Sequence, residues 1–209
     1  MWIIKLEGSL IGTPELSKWL DVVERNGDGK VVIVPGGGFL ADAIREAQKR
    51  AHLNDETAHR MAVLSMDQYG LLMIGTNGKL VEARSELEIA ERGWQHRGIV
   101  WFPSHMVHAD TDIPMNKHMT SDSLAAWLGG KLGVAHVIIV KSLETTAKQA
   151  KVQDLIHCGL VDSYLGQYMH ANNAQGGFKT WLLDKQHYGL FNESFDAEKL
   201  AQHALAVVK

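Results

Sequence analysis

Hydrophobic residues in the first part of the chain alternate between short continuous runs and stripes at helical spacing. Trp2–Leu6 is an apolar run that ends at Gly8, and residues 31–34 form a second run made of β-branched side chains. The second run is uninterrupted, which is typical of a strand that is covered on both faces. Between them, Pro14 begins a segment whose apolar positions keep helical spacing as far as Arg25. The pattern therefore predicts a strand, a helix and a second strand.

The same two patterns continue through the rest of the chain, separated by turn residues and by a loop rich in His, Asp and Pro. They predict helices after residue 38 and over residues 54–70, 120–132 and 196–209, strands at 99–102 and 137–140, and a glycine break at 176–177. Strands that alternate with helices form parallel sheets with helices on both faces. We therefore expect an α/β fold, a three-layer αβα sandwich with a mainly parallel central sheet, in a single domain over residues 1–209.

Composition and charge narrow the class of protein. The 209 residues carry a formal net charge of -3 without a cluster of Lys and Arg, so we expect no nucleic-acid partner. No stretch approaches the roughly 18 apolar residues that a membrane span needs, and Lys5 and Glu7 interrupt the N-terminal apolar run, unlike in a signal peptide. Cys158 is the single cysteine, and its apolar context predicts a buried thiol that forms no intrachain disulfide. We expect a cytoplasmic protein without a membrane partner.

Three segments place reactive or glycine-rich residues where predicted strands end. Lys5 precedes Gly8 and Ser9, three glycines at residues 36–38 follow the second strand, and Thr120-Ser121-Asp122 opens a helix. Each segment also has an ordinary structural explanation: an edge-strand lysine, a tight connection and a helix cap. Ligands of open parallel sheets bind at the carboxyl ends of strands, beside helix N-termini whose backbone N–H groups attract anions. Because the three segments converge on this edge, an anion-binding site is favoured.

The order of these segments resembles the amino-acid kinase superfamily, which includes acetylglutamate, aspartate, carbamate and uridylate kinases. The resemblance rests on Lys-x-x-Gly-Ser from Lys5, Pro-Gly-Gly-Gly-Phe-x-Ala-Asp-x-x-Arg ending at Arg45, Ala-His-x-Met-Ala from Ala58, and Thr-Ser-Asp ending at Asp122. It covers residues 1–145. Within the superfamily, the sequence is most similar to a short archaeal branch of methanofuran biosynthesis, which implies a furan-type phosphate as the acceptor.

The resemblance implies an ATP-dependent kinase that transfers a phosphoryl group to a small phosphorylated or carboxylated acceptor. Lys5 would neutralise charge on the transferring group, and Asp122 would orient the lysines of the site. Acceptor and phosphate groups would be bound by Gly8, Ser9, Gly36, Gly37, Gly38 and Arg45. Lys141 and Ser142 would lie near the nucleotide phosphates, and Mg²⁺ would accompany ATP. The family also implies a homodimer or a higher homo-oligomer.

Two other classes of function remain open. Glu7 adds a negative charge beside the anion site, and no Thr-Gly-Gly-Met segment follows residue 145, which favours a catalytically inactive ligand-binding or regulatory protein on the same fold. The loop before Thr120 also carries potential metal ligands, namely His105, His108, Asp110, Asp112 and His118. Their spacing matches no established ligand pattern, and a contact between one of these histidines and the acceptor is the other interpretation of this loop.

Overall fold

Eight strands form one sheet in the computed structural model, which describes residues 1–143, 145–169 and 177–209. The strands are β1 (Trp2–Leu6), β2 (Val31–Pro35), β3 (Val81–Ala83), β4 (Ile99–Trp101), β5 (His136–Lys141), β6 (Gln149–Lys151), β7 (Lys179–Asp184) and β8 (Leu205–Val208). Their order across the sheet is β3-β4-β2-β1-β5-β7-β8-β6. These neighbours pair in parallel, apart from β7 and β8, which are antiparallel. The predicted, mainly parallel sheet is confirmed.

Helices cover both faces of this sheet. They are α1 (Pro14–Asn26), α2 (Gly38–Ala51), α3 (Asp55–Thr76), α4 (Glu86–Trp94), α5 (Ser104–Ala109), α6 (Ser121–Leu132), α7 (Val152–His157), α8 (Leu165–Tyr168) and α9 (Ala197–His203). The pleat of β1 turns successive side chains to opposite faces. Ile3 therefore belongs to the core beneath α5, α6, α7 and α8, whereas Ile4 and Leu6 belong to the core beneath α1 and α9. The predicted three-layer αβα sandwich is confirmed.

Strand β1 lies in the middle of the sheet, between β2 and β5. Lys5 is level with Val34 on one side and with Ile139 on the other. The chain leaves β1 towards β2 and returns to its other side much later as β5, so the connections after these strands diverge and open a crevice at their carboxyl ends. Lys5 is therefore a central-strand lysine, and the interpretation of it as an edge-strand lysine is wrong.

The C-terminal part of the chain differs most from the sequence predictions. The expected helix over residues 196–209 is wrong in its second half, because α9 ends at His203 and the chain continues as β8. There the antiparallel ladder with β7 pairs Leu182 with Leu205 and satisfies backbone groups that a helix would satisfy internally. The patterns do not predict β3, β6 or β7; β3 and β6 are only three residues long, too short for a period to show.

Smaller differences concern single residues and one loop. The predicted loop before Thr120 contains the short helix α5. Cys158 is exposed at the end of α7 instead of buried, so the expectation of a buried thiol is wrong. Of the predicted glycine break, Gly176 lies outside the described residues. Among the residues that the structure describes, no helix combines the length and the apolar character that crossing a membrane requires.

Candidate active site

A cavity of about 320 Å³ opens at the carboxyl ends of β1, β2 and β5. We call it the central cavity. The predicted site residues that line it are Lys5, Gly8, Ser9, Gly36, Gly37, Gly38, Arg45, Asp122 and Lys141. Helices α2, α3 and α6 supply most of the remaining wall. The three segments singled out in the sequence therefore meet in one place, as expected for strand ends that share an edge of a parallel sheet.

Two lysines and one aspartate form the floor of the central cavity. Lys5 Nζ lies 2.8 Å from Asp122 Oδ1, and Lys141 Nζ donates a hydrogen bond of 2.9 Å to Asp122 Oδ2. All three residues are buried, with Asp122 only 3% exposed. We call them the Lys–Asp–Lys cluster. Each ammonium group therefore contacts a different oxygen of the same carboxylate.

The electrostatics of the cluster favour the charged forms of Asp122 and Lys141. Burial acts to raise the pKa of Asp122, but the positive charges of Lys5 and Lys141 outweigh it and hold the pKa below its usual value. Burial likewise acts to lower the pKa of Lys141, and the attraction of Asp122, with a smaller effect of Glu7, raises that pKa overall. Two ammonium groups against one carboxylate leave the cluster with one net positive charge. A buried net positive charge at the floor of a cavity favours an anionic ligand.

Glu7 lies at the edge of this cluster and offsets part of its charge. Its Oε1 is 3.8 Å from Lys141 Nζ, and its Oε2 accepts a hydrogen bond of 2.7 Å from Ser9 Oγ. The hydroxyl group of Tyr69 donates to the Glu7 backbone carbonyl at 3.2 Å, and burial together with Glu7 raises the pKa of Tyr69. The segment after β1 is thus held in place from α3. An anion that binds at Lys141 has to compete with the Glu7 carboxylate.

Glycines are required where the segments after β1 and β2 cross. A Cβ atom on Gly8 would lie 2.1 Å from the backbone N and Cα of Gly38, which is far inside contact distance. Gly38 itself has φ +56°, a left-handed conformation that glycine adopts readily. The backbone N–H of Gly36 donates to the Leu6 carbonyl at 2.9 Å. That N–H is therefore engaged in joining the two segments, which corrects the expectation that all three glycine amides face a ligand.

Asp122 is positioned by the first turn of α6, whose cap comes from a distant residue. The Thr120 side chain makes no capping bond to the helix. Instead, Asp162 Oδ2 accepts hydrogen bonds of 3.0 Å from the backbone N–H groups of Thr120 and Ser123, and Thr120 Oγ1 also donates to it. Burial and the nearby Asp122 raise the pKa of Asp162. The expectation of a Thr120 cap is wrong, and the sequence offers no local signal for the true one.

The remaining predicted residues lie at the margin of the site or outside it. Arg45 lines the central cavity and forms an exposed ion pair with Asp42 on the same helix. Ser142 is exposed and is not among the residues that line the cavity. In the described part of the chain, no three His, Cys, Asp or Glu side chains are arranged to hold a metal ion. The histidine-rich loop therefore gives no support to the metal-binding alternative.

A buried histidine of the cavity wall is absent from the predicted site residues. His59 lines the central cavity and is 4% exposed. It shares a face of α3 with Val63 and Met66, at the i, i+4 and i+7 spacing of an apolar stripe. A histidine within such a stripe is a signal that the sequence does contain.

The chain is similar to known proteins in sequence and in structure. No protein-family model matches the chain. It is 29% identical over 151 residues, 69% of the chain and 67% of the relative, to the [5-(aminomethyl)furan-3-yl]methyl phosphate kinase of Methanocaldococcus jannaschii. Its structure is similar to uridylate kinase from Archaeoglobus fulgidus, with a TM-score of 0.69, 13% identity and 99% coverage of both chains. The chain has the amino-acid kinase fold. Isopentenyl phosphate kinase from T. acidophilum shares this fold, with a TM-score of 0.64, 11% identity and full coverage of both chains.

These comparisons confirm the resemblance that the ordered motifs carry. The relative in sequence is a kinase, which confirms the prediction of a phosphotransferase. That prediction does not name the substrate. The central cavity lies at the carboxyl ends of the middle strands of this fold, and the Lys–Asp–Lys cluster forms its floor.

Proposed function

We propose that this chain is a cytoplasmic, single-domain kinase that transfers the terminal phosphoryl group of ATP to a small phosphorylated acceptor in the central cavity. The observation that carries the proposal is the Lys–Asp–Lys cluster. Two lysines converge on one buried aspartate at the floor of a glycine-lined cavity. One lysine is enough for a structural ion pair with Asp122, whereas here two buried lysines share this carboxylate, and Glu7 offsets only part of the charge of the second from 3.8 Å.

Phosphoryl transfer requires positioning and electrostatic stabilisation more than covalent help from the protein. Lys5, at the end of the central strand, would neutralise charge on the phosphoryl group as it moves between donor and acceptor. Lys141 would contact the nucleotide phosphates from the neighbouring strand end. Asp122 is engaged by both lysines, so it serves as a positioning residue and not as a base that removes a proton.

Mg²⁺ would enter with ATP and neutralise its phosphates. Because Asp122 is occupied by two lysines, the ion would be bound mainly through phosphate oxygens and water, which Mg²⁺ accepts readily. The residues present fit that arrangement, since the floor of the cavity offers ammonium groups for the phosphates.

The acceptor that we propose is a furan-type phosphomonoester of methanofuran-type cofactor biosynthesis. Support comes from the Methanocaldococcus jannaschii relative, which is named for such a phosphate. The size of the central cavity, about 320 Å³, suits a small molecule. Its walls combine charged groups with the apolar side chains of Val63, Met66 and Leu124, as a phosphate attached to a flat apolar ring requires.

A homodimer or higher homo-oligomer is also part of the proposal. Leu64 and Leu71 on α3 are 47% and 58% exposed, seven residues apart on one helix face. Covering this face against a second copy would remove apolar surface from water. Light scattering coupled to size-exclusion chromatography measures the mass in solution, and a monomer at all concentrations contradicts this part.

The kinase proposal is tested by measuring ADP release with MgATP and a panel of acceptors. The panel contains [5-(aminomethyl)furan-3-yl]methyl phosphate, isopentenyl phosphate, UMP and aspartate. We expect turnover with the furan phosphate, and its loss in Lys5→Ala and Asp122→Ala. Lys30→Ala, which removes an exposed lysine outside the cavity, is the matched control and should retain activity. Full activity in either cavity variant would overturn the site assignment.

A non-catalytic ligand-binding protein is the second candidate, and the Glu7 carboxylate favours it. At 3.8 Å from Lys141, this carboxylate already occupies part of the space around a phosphate-binding lysine. Calorimetry with ATP, in the presence and absence of Mg²⁺, separates the two functions. Absent ATP binding in a folded protein that still binds the furan phosphate would favour the non-catalytic candidate.

A further inference from the structure

His59 is a buried histidine in the wall of the central cavity. It is 4% exposed, lines the central cavity, and neither ring nitrogen has a hydrogen-bond partner among the described residues. Buried side-chain nitrogens are nearly always hydrogen-bonded, because an unsatisfied one loses its interaction with water without compensation. An unpartnered imidazole in the wall of a binding cavity is therefore expected to find its partner in the ligand.

The position of His59 separates it from the phosphoryl-transfer end of the cavity. Ser65 of the same helix packs against the glycine segment, since its Oγ lies 3.5 Å from the position of a Cβ on Gly37. His59 precedes Ser65 by six residues, which places it about 9 Å further along the helix axis. Apolar side chains of Ala62, Val63 and Met119 line the cavity as well. His59 thus faces the part of an acceptor that is remote from its phosphate.

The surroundings of His59 favour the neutral form of its ring. Burial lowers the pKa of His59, and the imidazole of His108 lowers it further, while the backbone of Met119 has a smaller opposing effect. A neutral imidazole has one donor and one acceptor nitrogen. It can therefore accept a hydrogen bond, which a protonated imidazolium cannot do.

A second hydrogen-bond acceptor lies one helical turn away. Asp55 also lines the central cavity and precedes His59 by four residues, so both belong to the same side of α3. Asp55 Oδ1 accepts a hydrogen bond of 2.8 Å from Gln48 Nε2, which fixes the carboxylate against α2. A carboxylate and a neutral imidazole on one face favour a ligand group that donates hydrogen bonds and carries positive charge.

We propose that Asp55 and His59 form a specificity subsite that binds an amino group on the acceptor, at the end remote from its phosphate. This inference rests on the proposed function and names the chemistry of its acceptor: a phosphomonoester with a short apolar body and a primary amine. The amine donates to His59 and is attracted by Asp55, while the phosphate lies at the Lys–Asp–Lys cluster. The subsite explains why a polar ring is buried in an otherwise apolar stripe of α3.

A matched pair of acceptors tests the subsite. [5-(Aminomethyl)furan-3-yl]methyl phosphate carries the amine, and (5-methylfuran-3-yl)methyl phosphate replaces it by hydrogen. We expect the wild type to prefer the amine by at least tenfold in kcat/KM, as a hydrogen bond to a charged group supports. His59→Phe and Asp55→Asn should reduce that preference towards one. His105→Gln, which alters an exposed histidine outside the central cavity, should leave the preference unchanged.

Binding measurements on the wild type keep the test decisive if a variant fails to fold. In protein labelled with ¹⁵N in histidine, the amine-bearing phosphate should shift the His59 ring resonances, and the methyl analogue should not. Equal turnover of both acceptors, or no shift of these resonances by the amine in a saturated complex, would overturn the subsite while leaving the kinase function intact. Selective binding of the amine without phosphoryl transfer would support the subsite and overturn the kinase function.

Discussion

Asp122 allows the sharpest prediction, because one carboxylate neutralises two buried lysines. Asp122→Asn keeps the size of the side chain and removes its charge, which leaves the ammonium groups of Lys5 and Lys141 facing each other. Their side chains are only 4% and 11% exposed. Breaking a buried ion pair from one side costs about 3–5 kcal/mol. Glu7 still offers Lys141 a partner at 3.8 Å, so we expect the lower end of this range, about 3 kcal/mol.

Lys5→Met is the informative comparison. It removes one ammonium group, but Asp122 keeps its hydrogen bond of 2.9 Å to Lys141, so no charge is left unpaired. We expect this variant to lose less than about 1.5 kcal/mol, the size of an ordinary hydrogen bond. Both variants should nevertheless lose activity by about a hundredfold or more, because each disturbs the charge presented to the phosphoryl group. Stability and activity are thus predicted to separate.

Urea unfolding, followed by circular dichroism, measures the free energy of unfolding of both variants. The lowered pKa of Asp122 stabilises the fold above its unfolded value of 3.8, and this contribution disappears as pH falls through the folded value. The raised pKa of Lys141 contributes below 10.5, and this contribution disappears as pH rises through the folded value. The cost of Asp122→Asn should therefore be constant near neutral pH and shrink at both extremes. A loss in Lys5→Met equal to that in Asp122→Asn would refute the reasoning.

Three further predictions concern the surroundings of the cluster. Gly8→Ala places a Cβ 2.1 Å from the Gly38 backbone and should displace the glycine segment. We expect kcat/KM to fall by about a hundredfold with an unchanged circular dichroism spectrum. Retained activity would contradict the close approach of the segments after β1 and β2. Glu7→Gln removes the charge that competes for Lys141 and should lower the Kd for MgATP by about two- to tenfold in calorimetry, whereas weaker binding would give Glu7 a positive role in the site. Asp162→Asn removes an acceptor of several backbone N–H groups and should lower the free energy of unfolding by about 2 kcal/mol in urea, and a neutral effect would show that solvent replaces this cap.

The core of the site could be predicted from sequence because its residues occupy positions that secondary structure dictates. Lys5, Gly8 and Lys141 follow or end apolar runs, and the carboxyl ends of parallel strands meet at one edge of a sheet. Asp122 lies in the first turn of a helix whose start the sequence predicts, although its Thr120 side chain does not cap it. Given a parallel sheet, these local patterns are enough to predict that the residues lie together, without any distance between them being known.

Other features depend on contacts between residues that are distant in the chain. Asp162 replaces Thr120 as the cap of α6, although no sequence period connects the two. The backbone N–H of Gly36 is used by the Leu6 carbonyl, which a glycine-rich motif alone cannot reveal. The residues from Leu205 onwards pair with β7 because that strand offers backbone N–H and C=O groups for hydrogen bonding. Local propensity is a weak guide wherever tertiary pairing satisfies the backbone instead.

The central place of β1 has a consequence for how the protein folds. Trp2 pairs with Val31 on one side and with His136 on the other, so β1 needs a partner strand from much later in the chain. Until α6 and β5 have both packed against β1, Lys5 lacks either Asp122 or a completed sheet around it, and burying its charge early would be costly. Such long-range pairing slows folding and joins both halves into one cooperative transition. A ligand that needs the Lys–Asp–Lys cluster would then bind only after both halves of the sheet have folded together.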